Sequence, residues 1–101
     1  MITVIAEIKV KPGRRESVME KITALLPSVL EEKGCHRYEP YIDFNGQIPW
    51  RKTVPDSIFM LEDWESLAHL EAHQQAAHMD KHRENIKADV LDVVIHIIEK
   101  A

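Results

Sequence analysis

The pattern of apolar and polar residues marks four segments of the chain as β-strands. In the first segment every second position is apolar: Ile2, Val4, Ala6, Ile8 and Val10. A period of two is typical of a strand with one buried face. Residues 36–44 and 58–64 alternate in the same way, whereas residues 90–98 are apolar at nearly every position. Asn45-Gly46 signals a tight turn and favours a return of the chain through residues 48–52.

Apolar residues spaced three and four positions apart predict helices between these strands. The clearest helix covers about residues 14–33, and Gly34 suits the left-handed position that ends such a helix. Ser66 suits the N-cap of a second helix. A further helical stretch covers about residues 78–87. The helices therefore fall after the first strand and between the last two.

The elements follow one another as strand, helix, strand, strand, helix, strand. This βαββαβ order predicts a ferredoxin-like α+β sandwich, a four-stranded antiparallel sheet with helices on one face. In that topology the last strand lies at a sheet edge, where two apolar faces promote aggregation unless something covers them. We therefore expect a homodimer whose sheets pack face to face, as a dimeric α/β barrel. The alternative is that this strand contacts its own helices.

Length, charge and cysteine content narrow the class of protein. The 101 residues fit a single domain, 1–101. Thirteen basic against seventeen acidic side chains give a net charge of -4, which disfavours nucleic acid and membrane partners because both attract a positive face. No apolar run approaches the roughly 20 residues of a membrane helix. Cys35 is the single cysteine and has no disulfide partner, so we expect a cytoplasmic protein.

The most unusual feature is a cluster of histidines. Four of the six lie within fourteen residues, namely His69, His73, His78 and His82. His69/His73 and His78/His82 are each four residues apart, so each pair shares a helix face. In an unbroken helix the two pairs lie on nearly opposite sides. The segment 74–77 contains no Pro or Gly to break a helix, so we expect at most one pair to face any cavity.

The histidine pairs by themselves do not specify a cofactor. A metal site needs a third ligand at the right place, and the candidates Glu62, Glu71 and Asp89 have no characteristic spacing, so no metal is expected. The three glycines are isolated, which excludes a glycine-rich loop for flavin or nicotinamide. An imidazole beside an apolar pocket can act as a general base, and a solvated surface position is the alternative.

Other candidate residues are open to two interpretations each. Trp64 shares a strand face with Met60 and is either a core residue or a contact for a ligand. Tyr38 carries the same ambiguity. The acidic pair Glu31-Glu32 is interpreted as a solvated helix end.

The segment from Trp64 to His73, WESLAHLEAH, followed by His78-Met79, resembles the antibiotic-biosynthesis monooxygenase family. The opening ITVIAE, Pro12-Gly13 and the run Gly34-Cys35-His36 with Tyr38 extend the resemblance over essentially the whole chain. PDSI at residues 55–58 and DVL at residues 89–91 are most similar to its quinol monooxygenase branch.

The resemblance implies a dimeric enzyme that oxidises a quinol, a naphthohydroquinone-like aromatic, to the quinone with O₂ and without flavin, haem or metal. On this basis we expect His73 or His78 to act as the base. The pocket wall would be formed by Trp64, Tyr38 and Met60, with His69 as a secondary polar contact. Physically, a hydroquinone deprotonated in a dry pocket can pass an electron to O₂.

Three alternatives stay open at this point. One is a non-catalytic dimeric module that binds an apolar small molecule or a partner protein. Another is an enzyme that isomerises or degrades a small signalling metabolite, since some members of the family process such molecules. The third is haem degradation, which is disfavoured because those relatives carry an Asn on the first strand and residues 1–10 contain none.

Overall fold

Four strands and three helices are present in the computed structural model, which describes residues 1–101. Their bounds, in chain order, are β1 Ile2–Val10, α1 Arg15–Leu30, β2 Cys35–Tyr41, β3 Ser57–Trp64, α2 Leu67–Gln74, α3 Ala77–Ile86 and β4 Val90–Ile98. The four main predicted strands and the predicted helices are confirmed, with ends shifted by up to three residues. None of the helices combines the length and the hydrophobicity that crossing a bilayer requires.

The strands form one sheet in the order β2-β3-β1-β4, and every neighbouring pair is antiparallel. β1 lies in the middle, with Ala6 opposite Met60 on β3 and opposite Ile95 on β4. The last strand is at a sheet edge, as predicted. The ferredoxin-like α+β fold is therefore confirmed.

The core lies between the helices and one face of the sheet. Alternate residues of β1 and β3 are buried there, which is the side-chain periodicity of strands. The α1 residues that meet them are spaced four, three and four positions apart, at Val18, Ile22, Leu25 and Val29. This spacing gives the helix one apolar face, and its burial against the sheet is the main source of its stability.

The edge strand β4 is covered poorly by the helices. The residues that pair with buried positions of β1 are 45% to 53% exposed, namely Val93, Ile95 and Ile97. Val93 and Ile95 nevertheless line a cavity together with α3, so the alternative in which this strand contacts its own helices stays open. An exposed apolar edge of this kind is a surface for association.

The segment between β2 and β3 contains no regular structure. The predicted return strand over residues 48–52 is wrong, and β2 ends at Tyr41 instead of extending to residue 44. Polar contacts hold this segment instead. Arg51 donates to the carbonyl oxygens of Phe44 and Gly46, and it forms an ion pair with Asp43 at 3.5 Å. These bonds use backbone groups that a strand would have paired.

Candidate active site

The helical region that carries the histidines is broken between α2 and α3. The backbone at Ala76 is extended, with φ -64° and ψ 139°, and the N–H of Gln75 is bonded to Ala72 O at 3.2 Å. The break occurs without Gly or Pro, so the expectation that no break falls between residues 74 and 77 is wrong. Its consequence is that one histidine from each pair, His73 and His78, meets at the same place.

Both of these histidines contact Glu32, which follows the end of α1. Glu32 Oε2 lies 2.8 Å from His73 Nδ1 and 2.7 Å from His78 Nε2. The Glu32 side chain is only 14% exposed, so the interpretation of Glu31-Glu32 as a solvated helix end is wrong for Glu32. Sequence reasoning missed this residue because its partners lie 41 and 46 positions further along the chain.

The imidazole of His73 is held in one orientation and in its neutral form. Its side chain is 2% exposed, and burial lowers the pKa of His73, an effect that the hydrogen bond to Glu32 opposes only in part. An ionised carboxylate only accepts hydrogen bonds, so we assign the ring proton to Nδ1. This tautomer leaves Nε2 with a free lone pair, which a general base requires.

The side chains of Trp64 and Tyr38 pack against the imidazole of His73 and fix its plane. The Trp64 and His73 ring centroids are 4.6 Å apart, and Tyr38 approaches edge-on at 5.4 Å. Trp64 is fully buried in the core, so it supports His73 from behind. Burial raises the pKa of Tyr38, which keeps its hydroxyl neutral.

A second titratable group, the carboxyl group of Glu62, lies on the same face of β3 as Trp64. Glu62 is 5% exposed, and its Oε1 accepts a hydrogen bond of 2.9 Å from Trp64 Nε1. Burial raises the pKa of Glu62 to about 7, and the nearby negative charge of Glu32 adds to the effect. The site therefore contains a buried carboxyl group that changes charge near neutral pH.

These groups surround a cavity between the sheet and the helices α2 and α3. Its volume is about 110 Å³, which is room for roughly three or four waters, and Val93 and Ile95 of β4 form part of its wall. The titratable residues on its wall are Tyr38, Glu62, His73, His82 and Arg83. A larger hollow of about 550 Å³ lies along residues 44–53, but it contains no buried titratable group. The smaller cavity is thus the candidate for chemistry.

Three of the six predicted site residues line the cavity, and the other three lie outside it. Tyr38, Met60 and His73 line the cavity together. Trp64 lies behind His73, and His78 lies on the far side of Glu32 with its side chain 34% exposed. His69 lies apart from them, with Nδ1 2.7 Å from Ser66 Oγ.

Two further wall residues were not proposed as site residues from the sequence. Glu62 shares a strand face with Met60 and Trp64, and this alternation was the signal that could have placed it in the cavity. His82 is 8% exposed, and burial lowers its pKa too. Its position depends on the break before α3, which the sequence did not reveal.

No group of three or more histidine, cysteine or carboxylate side chains has the arrangement of a metal site. The nearest approach is the cluster of Glu32, His73 and His78. There both imidazole nitrogens point at one carboxylate oxygen, 2.8 and 2.7 Å away. The cluster is a hydrogen-bonded network in which the carboxylate orients the two rings.

The fold and the cavity define an α+β protein built around a buried, carboxylate-oriented histidine. The sequence profile of antibiotic biosynthesis monooxygenases matches residues 1–85, and the chain belongs to that family. Among its relatives is the probable quinol monooxygenase YgiN of Escherichia coli (strain K12). That protein is 46% identical over 101 residues, an alignment that covers 98% of this chain and 97% of the relative.

Solved structures of similar shape support the fold. A conserved protein from Methanosarcina mazei Go1 superimposes with a TM-score of 0.83 at 25% identity, covering 99% of this chain and 92% of that one. A protein from Pseudomonas aeruginosa gives a TM-score of 0.82 at 26% identity, covering 99% and 93%. The resemblance seen in the sequence is therefore confirmed at the level of family and fold.

Proposed function

We propose that this monooxygenase oxidises a quinol, a naphthohydroquinone-like aromatic, to the quinone with O₂ and without a cofactor. The observation that carries the proposal is the buried imidazole of His73, which lines an apolar cavity while its Nδ1 is bound to Glu32. The name of the 46% identical relative, probable quinol monooxygenase, supports the same substrate class.

The reaction begins with proton transfer from a substrate hydroxyl to Nε2 of His73. The hydroquinone anion is electron-rich and passes one electron to O₂, which gives a radical pair. If the pair recombines, a carbon–oxygen bond forms, and the O–O bond and the C–H bond at that ring carbon break. One oxygen atom then stays in a hydroxyquinone while the other leaves as water. If the pair separates, a second electron and the protons follow, and the products are the quinone and H₂O₂.

The protein contributes a base, a dry cavity and a fixed ring position. His73 is the proposed base, and Tyr38 and Met60 form the wall against which an aromatic ring packs. Trp64 and His78 act on His73 indirectly, the first through its ring and the second through Glu32. The predicted contact from His69 would require the substrate to extend beyond the cavity, which makes His69 the weakest of the proposed positions.

The size of the cavity suggests how such a substrate is placed. A cavity of about 150 Å³ holds a benzene ring, so 110 Å³ admits part of a fused pair of rings. The remainder would lie against Val93 and Ile95, which form the β4 side of the wall and are 45% and 50% exposed. An apolar ring there would cover surface that the helices leave uncovered.

We also infer that the protein is a homodimer whose sheets pack face to face. The outward face of the sheet carries the half-buried apolar residues Ile5, Phe59 and Leu61 in neighbouring strands. The exposed apolar residues of β4 continue this surface around the sheet edge. A second copy that covers both would remove an aggregation-prone edge and narrow the mouth of the cavity.

The proposed activity is tested by oxygen uptake. Chelator-treated protein is mixed with anaerobically prepared 1,4-naphthalenediol, O₂ is admitted, and the rate is compared with spontaneous oxidation between about pH 6 and pH 8. A faster rate with the protein is expected, and isotopically labelled O₂ then distinguishes oxygen insertion from peroxide release. Equal rates throughout would contradict the proposal. Turnover without O₂ would favour an isomerase instead.

A further inference from the structure

Glu62 has the properties of a ligand-binding group, although its position is in the core. It is 5% exposed and lines the same cavity as His73 and Tyr38. A carboxyl group in an apolar wall is costly unless its oxygens are bonded. One of them is bonded, because Trp64 Nε1 donates to Oε1 at 2.9 Å.

The other carboxyl oxygen of Glu62 has no partner in the protein. The only side-chain nitrogen or oxygen that is both fully enclosed and unbonded in the structure is Arg51 Nε. Oε2 of Glu62 is unbonded too, so it must keep an open side, and the cavity is the space that Glu62 lines. The carboxyl group therefore offers one free acceptor to whatever occupies the cavity.

Trp64 connects this acceptor to the proposed base. Its indole N–H is bonded to Glu62, and its ring lies 4.6 Å from the ring of His73, centroid to centroid. Because Trp64 is fully buried, it holds both groups in fixed positions on the cavity wall. The site thus presents two proton acceptors, an imidazole and a carboxylate.

We propose that Glu62 is a second catalytic residue, which binds the other hydroxyl group of a dihydroxyarene through Oε2 and accepts its proton. The inference rests on the proposed function and specifies its substrate class, because a site with two acceptors selects two hydroxyl groups over one. Glu62 would then be the residue that distinguishes a hydroquinone from a simple phenol.

The proton and electron count of the reaction fits two acceptors. Conversion of a hydroquinone to a quinone breaks two O–H bonds and removes two electrons. One proton goes to His73 Nε2 and the other to Glu62 Oε2, while both electrons reduce O₂. Return of both protons to the reduced oxygen gives H₂O₂. When one oxygen atom is retained in the product, a ring C–H bond also breaks and supplies the second electron pair; its hydrogen ends on the new hydroxyl group, and the two returned protons leave with the other oxygen atom as water. Both side chains end in the state in which they began.

The charge state of Glu62 at neutral pH agrees with this role. Its pKa is raised to about 7, so the carboxylate form becomes dominant above neutrality. The titratable and charged groups packed around the cavity are Glu32 after α1, Tyr38 on β2, His73 on α2, and His82 and Arg83 on α3. Burial lowers the pKa of both histidines, which leaves Glu62 as the group that titrates around pH 7.

The test compares Glu62→Gln with Glu71→Gln. Gln keeps the size of the side chain and an oxygen for Trp64, but it removes the charge; Glu71 lies exposed on α2 and controls for the substitution. Anaerobic calorimetry at about pH 8 measures binding of 1,4-naphthalenediol and of 1-naphthol. The wild type should prefer the diol by about tenfold, which is the value of one charged hydrogen bond, and Glu62→Gln should reduce that preference to less than about threefold.

Oxygen uptake gives a second readout. Glu62→Gln should lower the rate at least about tenfold, whereas Glu71→Gln should leave both rate and preference unchanged. If Glu62→Gln keeps the wild-type rate and the diol preference, the role of Glu62 is overturned and the proposed function stands. If the wild type takes up no oxygen, the proposed function fails, and loss of the diol preference in Glu62→Gln still supports the binding role of Glu62.

The role of Glu62 can be tested even if Glu62→Gln does not fold. Circular dichroism establishes whether Glu62→Gln folds. If it does not, the wild-type protein alone is titrated, and its preference for the diol over 1-naphthol should rise between about pH 6 and pH 8 as Glu62 loses its proton. A preference that stays constant over this range would overturn the proposal.

Discussion

Glu32 Oε2 accepts a hydrogen bond of 2.8 Å from His73 Nδ1, although the two residues are 41 positions apart in the sequence. Glu32 follows the end of α1, and His73 lies in the last turn of α2. The bond fixes which ring nitrogen of His73 carries the proton. Because His73 also lines the cavity, a carboxylate outside the cavity determines how the imidazole acts inside it.

Replacement of Glu32 by Gln should lower oxygen uptake by about 10- to 100-fold, because the amide no longer fixes the tautomer of His73. Glu32 raises the pKa of both proposed proton acceptors, His73 and Glu62. Its removal should therefore lower both pKa values and move the acid limb of the rate profile to lower pH. The measurement is the rate from about pH 5 to pH 8.

The exposed neighbour Glu31 supplies the matched control. Glu31→Gln should behave like the wild type in both rate and pH profile. If Glu32→Gln loses activity while its acid limb stays in place, Glu32 acts on the fold and not on the two proton acceptors.

The two histidines on Glu32 should differ in their effect on catalysis. His73→Gln removes the group that lines the cavity, and oxygen uptake should fall by about 100-fold or more. His78 is 34% exposed and contacts only Glu32 of this network, so His78→Gln should lower the rate by less than about tenfold. Equal losses in the two variants, measured at saturating diol, would contradict the assignment of His73 as base.

Glu62 should make the protein less stable as the pH rises. Its folded-state pKa of about 7 lies above the unfolded value of 4.5, so the folded state holds more protons between these values and stability falls with pH. Glu62→Gln has no carboxyl group at this position and so does not lose stability in this way. The unfolding free energy of Glu62→Gln minus that of the wild type should therefore increase by about 3 kcal/mol from pH 4 to pH 8.

Urea unfolding at several pH values measures this difference, with Glu71→Gln as the control. A gain that is independent of pH would show that Glu62 ionises in the folded protein as easily as in the unfolded chain. Greater stability combined with lower activity in Glu62→Gln is the pattern expected of a group retained for function.

Two glycines with positive φ should respond differently to Ala. Gly13 has φ 78° and nothing within 4 Å of an added Cβ, so Gly13→Ala should cost about 1 kcal/mol from the backbone alone. Gly34 has φ 82°, and an added methyl group would overlap the ring of His69, which is bonded to Ser66. Gly34→Ala should cost about 2 to 4 kcal/mol in urea unfolding, and equal costs would contradict this close packing.

Charge on the outward face of the sheet should separate the expected dimer. Leu61→Arg places a cation in the middle of that face, whereas Lys9→Arg at the exposed end of β1 keeps the charge unchanged and is the control. Sedimentation at about micromolar concentration should give a dimer for the wild type and the control, and a monomer for Leu61→Arg. A monomeric wild type would contradict the dimer.

Local pattern was sufficient to predict most of the fold. Alternation over residues 2–10 and 58–64 defined the two central strands, and the apolar spacing of α1 defined its buried face. Ser66 was predicted as an N-cap and accepts the N–H of His69 at 3.3 Å. These features depend on neighbours within a few residues, which the sequence displays directly.

The candidate site depended on longer-range relationships. The resemblance selected His73 and His78, but it could not show that Glu32 joins them or that only His73 lines the cavity. The break at Ala76 was missed because no Gly or Pro marks it, although the backbone there is extended and α3 begins at the next residue.

The sequence by itself thus determined the elements, their order and the chemical groups available, because these follow from side-chain periodicity and composition. Only the tertiary structure decided which groups became neutral, buried and adjacent. Burial set the charge states of Glu62 and His73, and burial depends on contacts among β3, α2 and the end of α1 that no local window of the sequence contains.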